Sequence, residues 1–203
     1  MDPSADRRVT RTKAAIRQAL TELMEEKGFD ALTVKDVTTR AQINRGTFYL
    51  HYRDKYDLLE QSEQELIKGL IAILSTIRSF DVDHLEQSFH YIVRVIEYLG
   101  EHADFLKTIL GPKGDISFHS LLKTMMTEHL FEKNVVPFIK KENALVPTEY
   151  LVAYIASAHF GIIQQWLTQG RKESPQEIAS IMFKLSARGP LYAAGVIKDP
   201  MIP

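Results

Sequence analysis

LTVKDVTTRAQINRGTFYLHYRDK, residues 32–55, packs three helix starts into 24 residues. Thr33 precedes VKDVTTR, with Asp36 three residues on. Asn44 precedes RGTFYLHY, and Asp54 precedes KYDLLEQ with Asp57 three residues on. Side-chain oxygens of Thr, Asn and Asp accept the orphan N–H groups of a helix start. The acid three residues later resembles a capping box and suits the helix dipole. A short helix over residues 34–41, a tight turn and a second short helix over 45–52 make a helix-turn-helix.

The second short helix has two usable faces. Phe48 and Tyr52 lie four apart, as do Arg45 and Tyr49, so one pair seats in a core while the other faces out. The outward set is then Arg45, Thr47, Tyr49 and His51, all hydrogen-bond donors for phosphates and base edges. Gly46 lacks a side chain, which lets the helix start approach a groove closely and costs about 1 kcal/mol relative to Ala in a helix interior. Spacing alone leaves an ordinary solvated helix face as an equal reading.

Three ordered motifs add to it: G-F-x-A-x-T-V-x-D-V from Gly28, A-x-I-N-x-G-T-F-Y-x-H-Y from Ala41, and D-K-x-D-L-L from Asp54. Together they resemble the N-terminal domain of TetR/AcrR-family transcriptional regulators, over about the first third of the chain. One residue departs from that pattern. Gln42 stands in the turn where the family often has Gly, at a position that calls for a left-handed backbone.

A chain of 203 residues, 45% hydrophobic and 25% charged, reads as one or two globular domains. Without cysteine there are no disulfides, zinc-thiolate sites or cysteine nucleophiles. MDPSADRRVTR has no apolar signal-peptide core, and no apolar run reaches about 18 residues, so a cytoplasmic protein with no membrane span is expected. The net charge is only −1, but its distribution is uneven. Residues 7–17 hold Arg7, Arg8, Arg11, Lys13 and Arg17 and no acid, whereas residues 61–203 hold 14 basic and 16 acidic side chains. A local positive excess is what a phosphate-binding surface requires.

Residues 1–8 are polar and read as a disordered segment or a DNA-ordered arm. A first helix is expected over 9–27, with Ile16, Ala19, Leu20, Leu23 and Met24 as its stripe and Gly28 as its stop. Phe29, Leu32, Val34, Val37, Ile43 and Phe48 would complete a small core. A fourth helix would begin after Asp54 and reach Ser79, about 37 Å, as a lever out of the head. The remaining helices are expected over 85–101, 103–110, 117–138 with a bend at Pro137, 147–170 and 175–187. Ser174-Pro175-Gln176-Glu177 is a full capping box. The fold class is therefore all-α, with about nine helices. Residues 1–54 would form a three-helix DNA-binding head and residues 55–203 a larger effector-binding and dimerisation domain.

EYLVAYIASAHFGIIQQWL, residues 149–167, is apolar or small on nearly every side and so needs two buried faces. Ala156, Ala158 and Gly161 allow close helix approach, and the final helix adds Ile178, Ile181, Met182 and Leu185. Two readings stand: a four-helix bundle shared with a second copy, or the central helix of one large core. The same stretch is similar to the last helices of a Gram-positive-type branch of these regulators, which favours the homodimer.

Signatures of catalysis are missing. No histidines form an i, i+4 pair with a third ligand, and His159 sits in an apolar helix as a core residue. Gly111-Pro-Lys-Gly lacks the spacing of a phosphate loop, and no Gly-x-Ser-x-Gly elbow occurs. Neither an enzyme, a metal site nor a cofactor is expected. Tyr91, Tyr98, Phe105, Phe118, Met125 and Trp166, with Met126 and Phe160 nearby, read either as core or as the lining of an apolar effector pocket.

The resemblance implies a ligand-responsive repressor that binds a palindromic operator on double-stranded DNA as a homodimer and answers to an apolar small molecule. Residue by residue it implies that Thr33 and Lys35 hold phosphates. Arg45, Gly46 and Thr47 would meet bases or the adjacent backbone, while Tyr49, His51 and Lys55 clamp phosphates and Arg7, Arg8 or Arg11 add an arm contact. The alternative is a relative that no longer represses and works as a protein-binding co-regulator.

Overall fold

The computed structural model describes residues 3–76, 85–111, 114–128 and 144–196. Among them are ten helices and no strand: α1 (Pro3–Lys27), α2 (Val34–Arg40), α3 (Arg45–Tyr49), α4 (Lys55–Leu74), α5 (Leu85–Glu101), α6 (Ala103–Ile109), α7 (Ile116–Met126), α8 (Thr148–Thr168), α9 (Pro175–Arg188) and α10 (Pro190–Ala193). The class is all-α, as the sequence indicates.

Differences from the expected boundaries have local causes. α1 starts at Pro3, not residue 9, because proline is at no disadvantage in a first turn. Arg7, Arg8 and Arg11 are consequently exposed helix residues and not a separate arm. α4 stops at Leu74, where the Ser75 and Thr76 hydroxyls donate back to the Ala72 and Ile73 carbonyls at 2.8 and 2.6 Å. The expected continuations over 77–79 and 129–138, with the Pro137 bend, lie outside the described residues. Pro147 caps α8 instead of entering it, and Pro190 opens α10, which raises the count from nine to ten among the described residues.

Contacts divide the chain into two compact units: residues 1–68 with 104–119, and residues 69–103 with 120–203. In the first unit Ile16, Leu20, Met24, Leu32, Val37, Phe48, Tyr52 and Leu58 are buried. Leu106, Ile109, Leu110 and Phe118 of the returning segment are buried too. Phe29, Val34 and Ile43, expected in this core, are only half-buried. α2 is clasped to α1 by Arg40, whose guanidinium takes Glu26 through two bonds of 2.9 Å and Glu22 at 3.0 Å. Lys27 pairs with Asp36 at 2.8 Å, Arg17 with Glu65, and Lys107 of α6 with Glu25 of α1 at 2.8 Å.

In the second unit α9 packs against α5, α8 and α10. Val93, Ile96, Leu99, Val152, Ile163, Leu167, Ile178 and Met182 are buried. Between α8 and α9 the chain turns through Gly170 (φ 83°) and Arg171 (φ 55°). Two long-range bonds fix that turn: Arg171 Nη1 donates to the Gly100 carbonyl at 2.6 Å, and Trp166 Nε1 to the Glu173 carbonyl at 2.9 Å. The Ser174–Glu177 capping box is formed, with the Ser174 N–H 2.7 Å from the Glu177 carboxylate.

α8 is two-sided. Ala156, with Ile178 and Met182 of α9, faces its own core and is not part of an outward surface. Tyr150 (69% exposed), Tyr154 (56%), Ala153, Ser157, Ala158 and Gly161 face outward, as does Ile181 of α9. A Cβ at Gly161 would meet nothing within 4 Å.

Candidate nucleic-acid interface

α2 begins at Thr33, whose hydroxyl both accepts the Asp36 N–H at 3.2 Å and donates to the Asp36 carboxylate at 2.6 Å. Lys27 and these Thr33 donors hold the Asp36 carboxyl well below the usual carboxylate range. The Thr33 hydroxyl proton is thus already engaged, and a phosphate would have to compete with Asp36 for it. Lys35, one residue into the helix, is exposed.

Between α2 and α3 the chain turns at Gln42, with φ 54°. The left-handed backbone expected at this turn is therefore formed by a residue with a Cβ. Ile43 N–H reaches back to the Thr38 carbonyl at 3.0 Å, which closes the turn. Asn44 then caps α3: its Oδ1 accepts the Thr47 N–H at 2.8 Å and the Thr47 hydroxyl at 3.0 Å. Thr47 is therefore turned toward its own cap. A Cβ on Gly46 would lie 3.3 Å from that same Asn44 oxygen, so glycine here also makes room for the cap.

α3 is anchored by Phe48 and Tyr52, both buried, with ring centroids 5.6 Å apart. Arg45 and Tyr49 are exposed on the neighbouring face, and Arg45 Nη2 donates to the Tyr49 hydroxyl at 3.1 Å. The phenol half-orients the guanidinium, which keeps its remaining N–H groups in solvent. His51 is half-buried, its ring edge-on to Tyr52 at 6.3 Å.

Lys55 is half-buried, and two of its three donors are used. Nζ donates to the Phe29 and Asp30 carbonyls at 3.0 and 2.9 Å and lies 4.8 Å from the Phe29 ring centroid. The ammonium first holds the loop after α1 and offers one N–H elsewhere.

Sequence reasoning passed over Leu50, which caps the C-terminus of α3 and is 80% exposed. A helical wheel carried past Tyr49 would have found it. Tyr56, also exposed, packs edge-on to Phe29 at 5.4 Å.

The six pocket candidates separate. Tyr91, Tyr98, Met125 and Trp166 belong to the second unit, and Phe105 and Phe118 to the first. Phe118, Met125 and Trp166 are buried, the other three half-buried. A cleft of about 790 Å³ in the second unit has Trp166 in its wall. Its lining also holds six charged side chains, Glu97, Glu101, Arg171, Lys172, Glu173 and Glu177, and none of the other five pocket candidates. His159 is a core histidine: Nε2 is 2.9 Å from the Ser186 hydroxyl, and burial lowers its pKa to about 4. Among the described residues no three His, Asp or Glu gather as metal ligands, and no helix is long and apolar enough to cross a membrane.

Residues 16–61 match the model described as bacterial regulatory proteins, tetR family, and residues 86–188 match that of a transcriptional regulator C-terminal region. An uncharacterised HTH-type transcriptional regulator, YxbF of Bacillus subtilis, is 25% identical over 89% of this chain and 46% of its own length. The HTH-type transcriptional repressor DhaR of a Mycobacterium species is 28% identical over 63% of this chain and 66% of its own length. The chain thus spans about half of the first relative and just under two thirds of the second. A TetR transcriptional regulator of Streptococcus agalactiae has the same fold, with TM-score 0.58, 22% identity, and coverage of 90% of this chain and 97% of that one.

Proposed function

Because the chain belongs to the TetR family of transcriptional regulators, we propose that it is a ligand-responsive repressor that binds a palindromic operator as a homodimer. The observation that carries this reading is α3 itself: capped by Asn44, pinned by Phe48 and Tyr52, with Arg45 and Tyr49 left in solvent. Arg45, Gly46 and Thr47 meet base edges or the adjacent backbone. Thr33, Lys35, Tyr49, His51 and the third N–H of Lys55 meet phosphates. That division matches donors that position against donors that specify. The Mycobacterium relative named as a repressor supports the direction of regulation.

The outward face of α8, with its two tyrosines and small residues, joins Ile181 as the surface for the second copy. Twofold symmetry then sets two α3 helices about 34–36 Å apart on successive major grooves. A small apolar effector releases the operator only if it prefers a form in which that separation is wrong. α4 is the element suited to carry the change, since it contributes residues to both units.

The test is retardation of DNA from upstream of its own gene, read across a salt series. A shift at moderate salt, with a 1:1 complex of dimer and duplex, is expected. No shift at any salt, with capture of one specific protein instead, would replace this reading by that of a co-regulator.

A further inference from the structure

α3 does not end abruptly. Leu50 N–H bonds the Gly46 carbonyl at 3.2 Å and Tyr52 N–H bonds the Phe48 carbonyl at 3.0 Å, so helical geometry continues through Tyr52. At roughly 100° per residue, Leu50 lies roughly 180° from the bisector of Phe48 and Tyr52, and Gly46 lies beside it one turn earlier. Phe48 and Tyr52 are 0% and 2% exposed, which defines the inward direction, and Leu50 is 80% exposed. The outermost ridge of the helix is therefore Gly46 followed by Leu50. Tyr49 and His51 lie roughly 100° to either side of Leu50.

A single exposed leucine is ordinary on a protein surface. This one differs in its address. It stands at the point of the helix that enters deepest into whatever groove receives it, and the residue one turn before has no side chain to hold the helix off. The floor of a major groove offers hydrogen-bonding groups at every base pair and one kind of apolar group, the C5-methyl of thymine.

We propose that Leu50 is a specificity-determining residue that packs on a thymine C5-methyl in each half-site. The inference rests on the operator-binding reading and deepens it: Arg45 supplies a polar selection and Leu50 a separate, apolar one. Leucine on a phosphate or on a bare acceptor would remove water from a polar group and gain nothing in return.

The test starts from duplexes enriched from a random pool by the wild-type protein. Deoxyuridine then replaces thymidine one position at a time, which deletes the methyl and nothing else. We expect one thymine per half-site whose replacement weakens binding roughly four-fold, the worth of one buried methyl. Leu50→Ala should bind the thymine duplex weaker by a similar factor or more, and should no longer distinguish thymine from uracil there. Circular dichroism of the variant should be unchanged, since an exposed side chain leaves no cavity behind. Enrichment with uracil tolerated at every position would overturn the proposal alone. So would Leu50→Ala that keeps the full thymine preference. A pool from which nothing is enriched would overturn the operator reading, and this one with it.

Discussion

The Lys55 ammonium lies 3.0 Å from the Phe29 carbonyl, which ties the first turn of α4 to the loop that follows α1. A second bond to the Asp30 carbonyl at 2.9 Å makes the same lysine a structural clamp before it meets any ligand. Lys55→Ala should therefore lower the unfolding free energy by about 1–2 kcal/mol, since two charge-assisted bonds disappear from a half-solvated site. It should also weaken all duplexes alike and flatten the salt slope by about one. Denaturant melts and gel shifts over a salt series read the two effects separately. An unchanged melt would remove the clamp role.

Arg45 leans on Tyr49 through the 3.1 Å bond from Nη2 to the hydroxyl. Arg45→Ala should relax preference at one base pair of each half-site by about 1–3 kcal/mol. Tyr49→Phe, which removes a proposed phosphate donor and the hydroxyl that Arg45 bonds, should weaken binding with much less change in preference. Competition between single-base-pair variants of the enriched duplex checks both. Equal loss of specificity from the two variants would exchange or merge their roles.

Asn44 caps the N-terminus of α3, bonding the Thr47 N–H and hydroxyl through one oxygen. Asn44→Ala should cost about 1 kcal/mol of stability. Asn44→Asp keeps an equally good cap and should hold the melting temperature, yet it places a negative charge at the N-terminus of the helix proposed to meet DNA. Its DNA affinity should fall well below that of wild type at low salt and recover relative to it as salt rises.

Gln42 holds φ 54° at the turn. A glycine there removes the Cβ crowding of a left-handed residue, and Gln42→Gly should gain up to about 1 kcal/mol after its larger unfolded-state entropy is subtracted. Gln42→Val should lose about 1–2 kcal/mol, because a β-branched side chain is worst in that backbone. Matched chemical denaturation of the three proteins decides it.

Two titrating groups drawn out of water give the two units opposite pH responses. Burial, with Asp115 and Glu60 adding repulsion, raises the Glu63 pKa from 4.5 to about 7. The folded first unit then holds a proton that the unfolded chain releases. That contribution is complete below pH 4.5 and is lost as pH rises through about 7. Glu63→Gln should flatten this alkaline decline, which is on the order of 2 kcal/mol once solvent screening is allowed for. His159 behaves conversely: burial lowers it from 6.5 to about 4, so its contribution is present above pH 6.5 and lost as pH falls toward 4. His159→Gln should blunt the acid side. Melts of the two variants across pH 4–8 would sink this account if both changed the same limb.

How much of this was legible in residues alone follows a physical line. Thr33, Asn44 and Ser174 act on N–H groups three positions away, so their caps could be read directly and all three form. Gln42 was legible for the same reason, since a turn of fixed length demands a left-handed residue at one place. Lys55 was not: its carbonyl partners lie 26 and 25 residues upstream, and no local pattern announces them. The six apolar pocket candidates do not all fall in one unit. Hydrophobic type marks burial but not which of two units does the burying, and Phe105 and Phe118 fall in the first. Leu50 carries no donor, and donors are what mark a phosphate- or base-contacting face in a sequence.

Residues 104–119 return to the first unit, where Lys107 grips Glu25 and Leu106, Ile109 and Phe118 are buried. The amino-terminal helices are consequently not a detachable cassette. A chimera spliced after residue 54 or 68 would graft helices whose missing neighbours must be supplied by the recipient. Interchange of specificities among such regulators should succeed by repainting α3 in place more often than by transplanting the amino-terminal third whole.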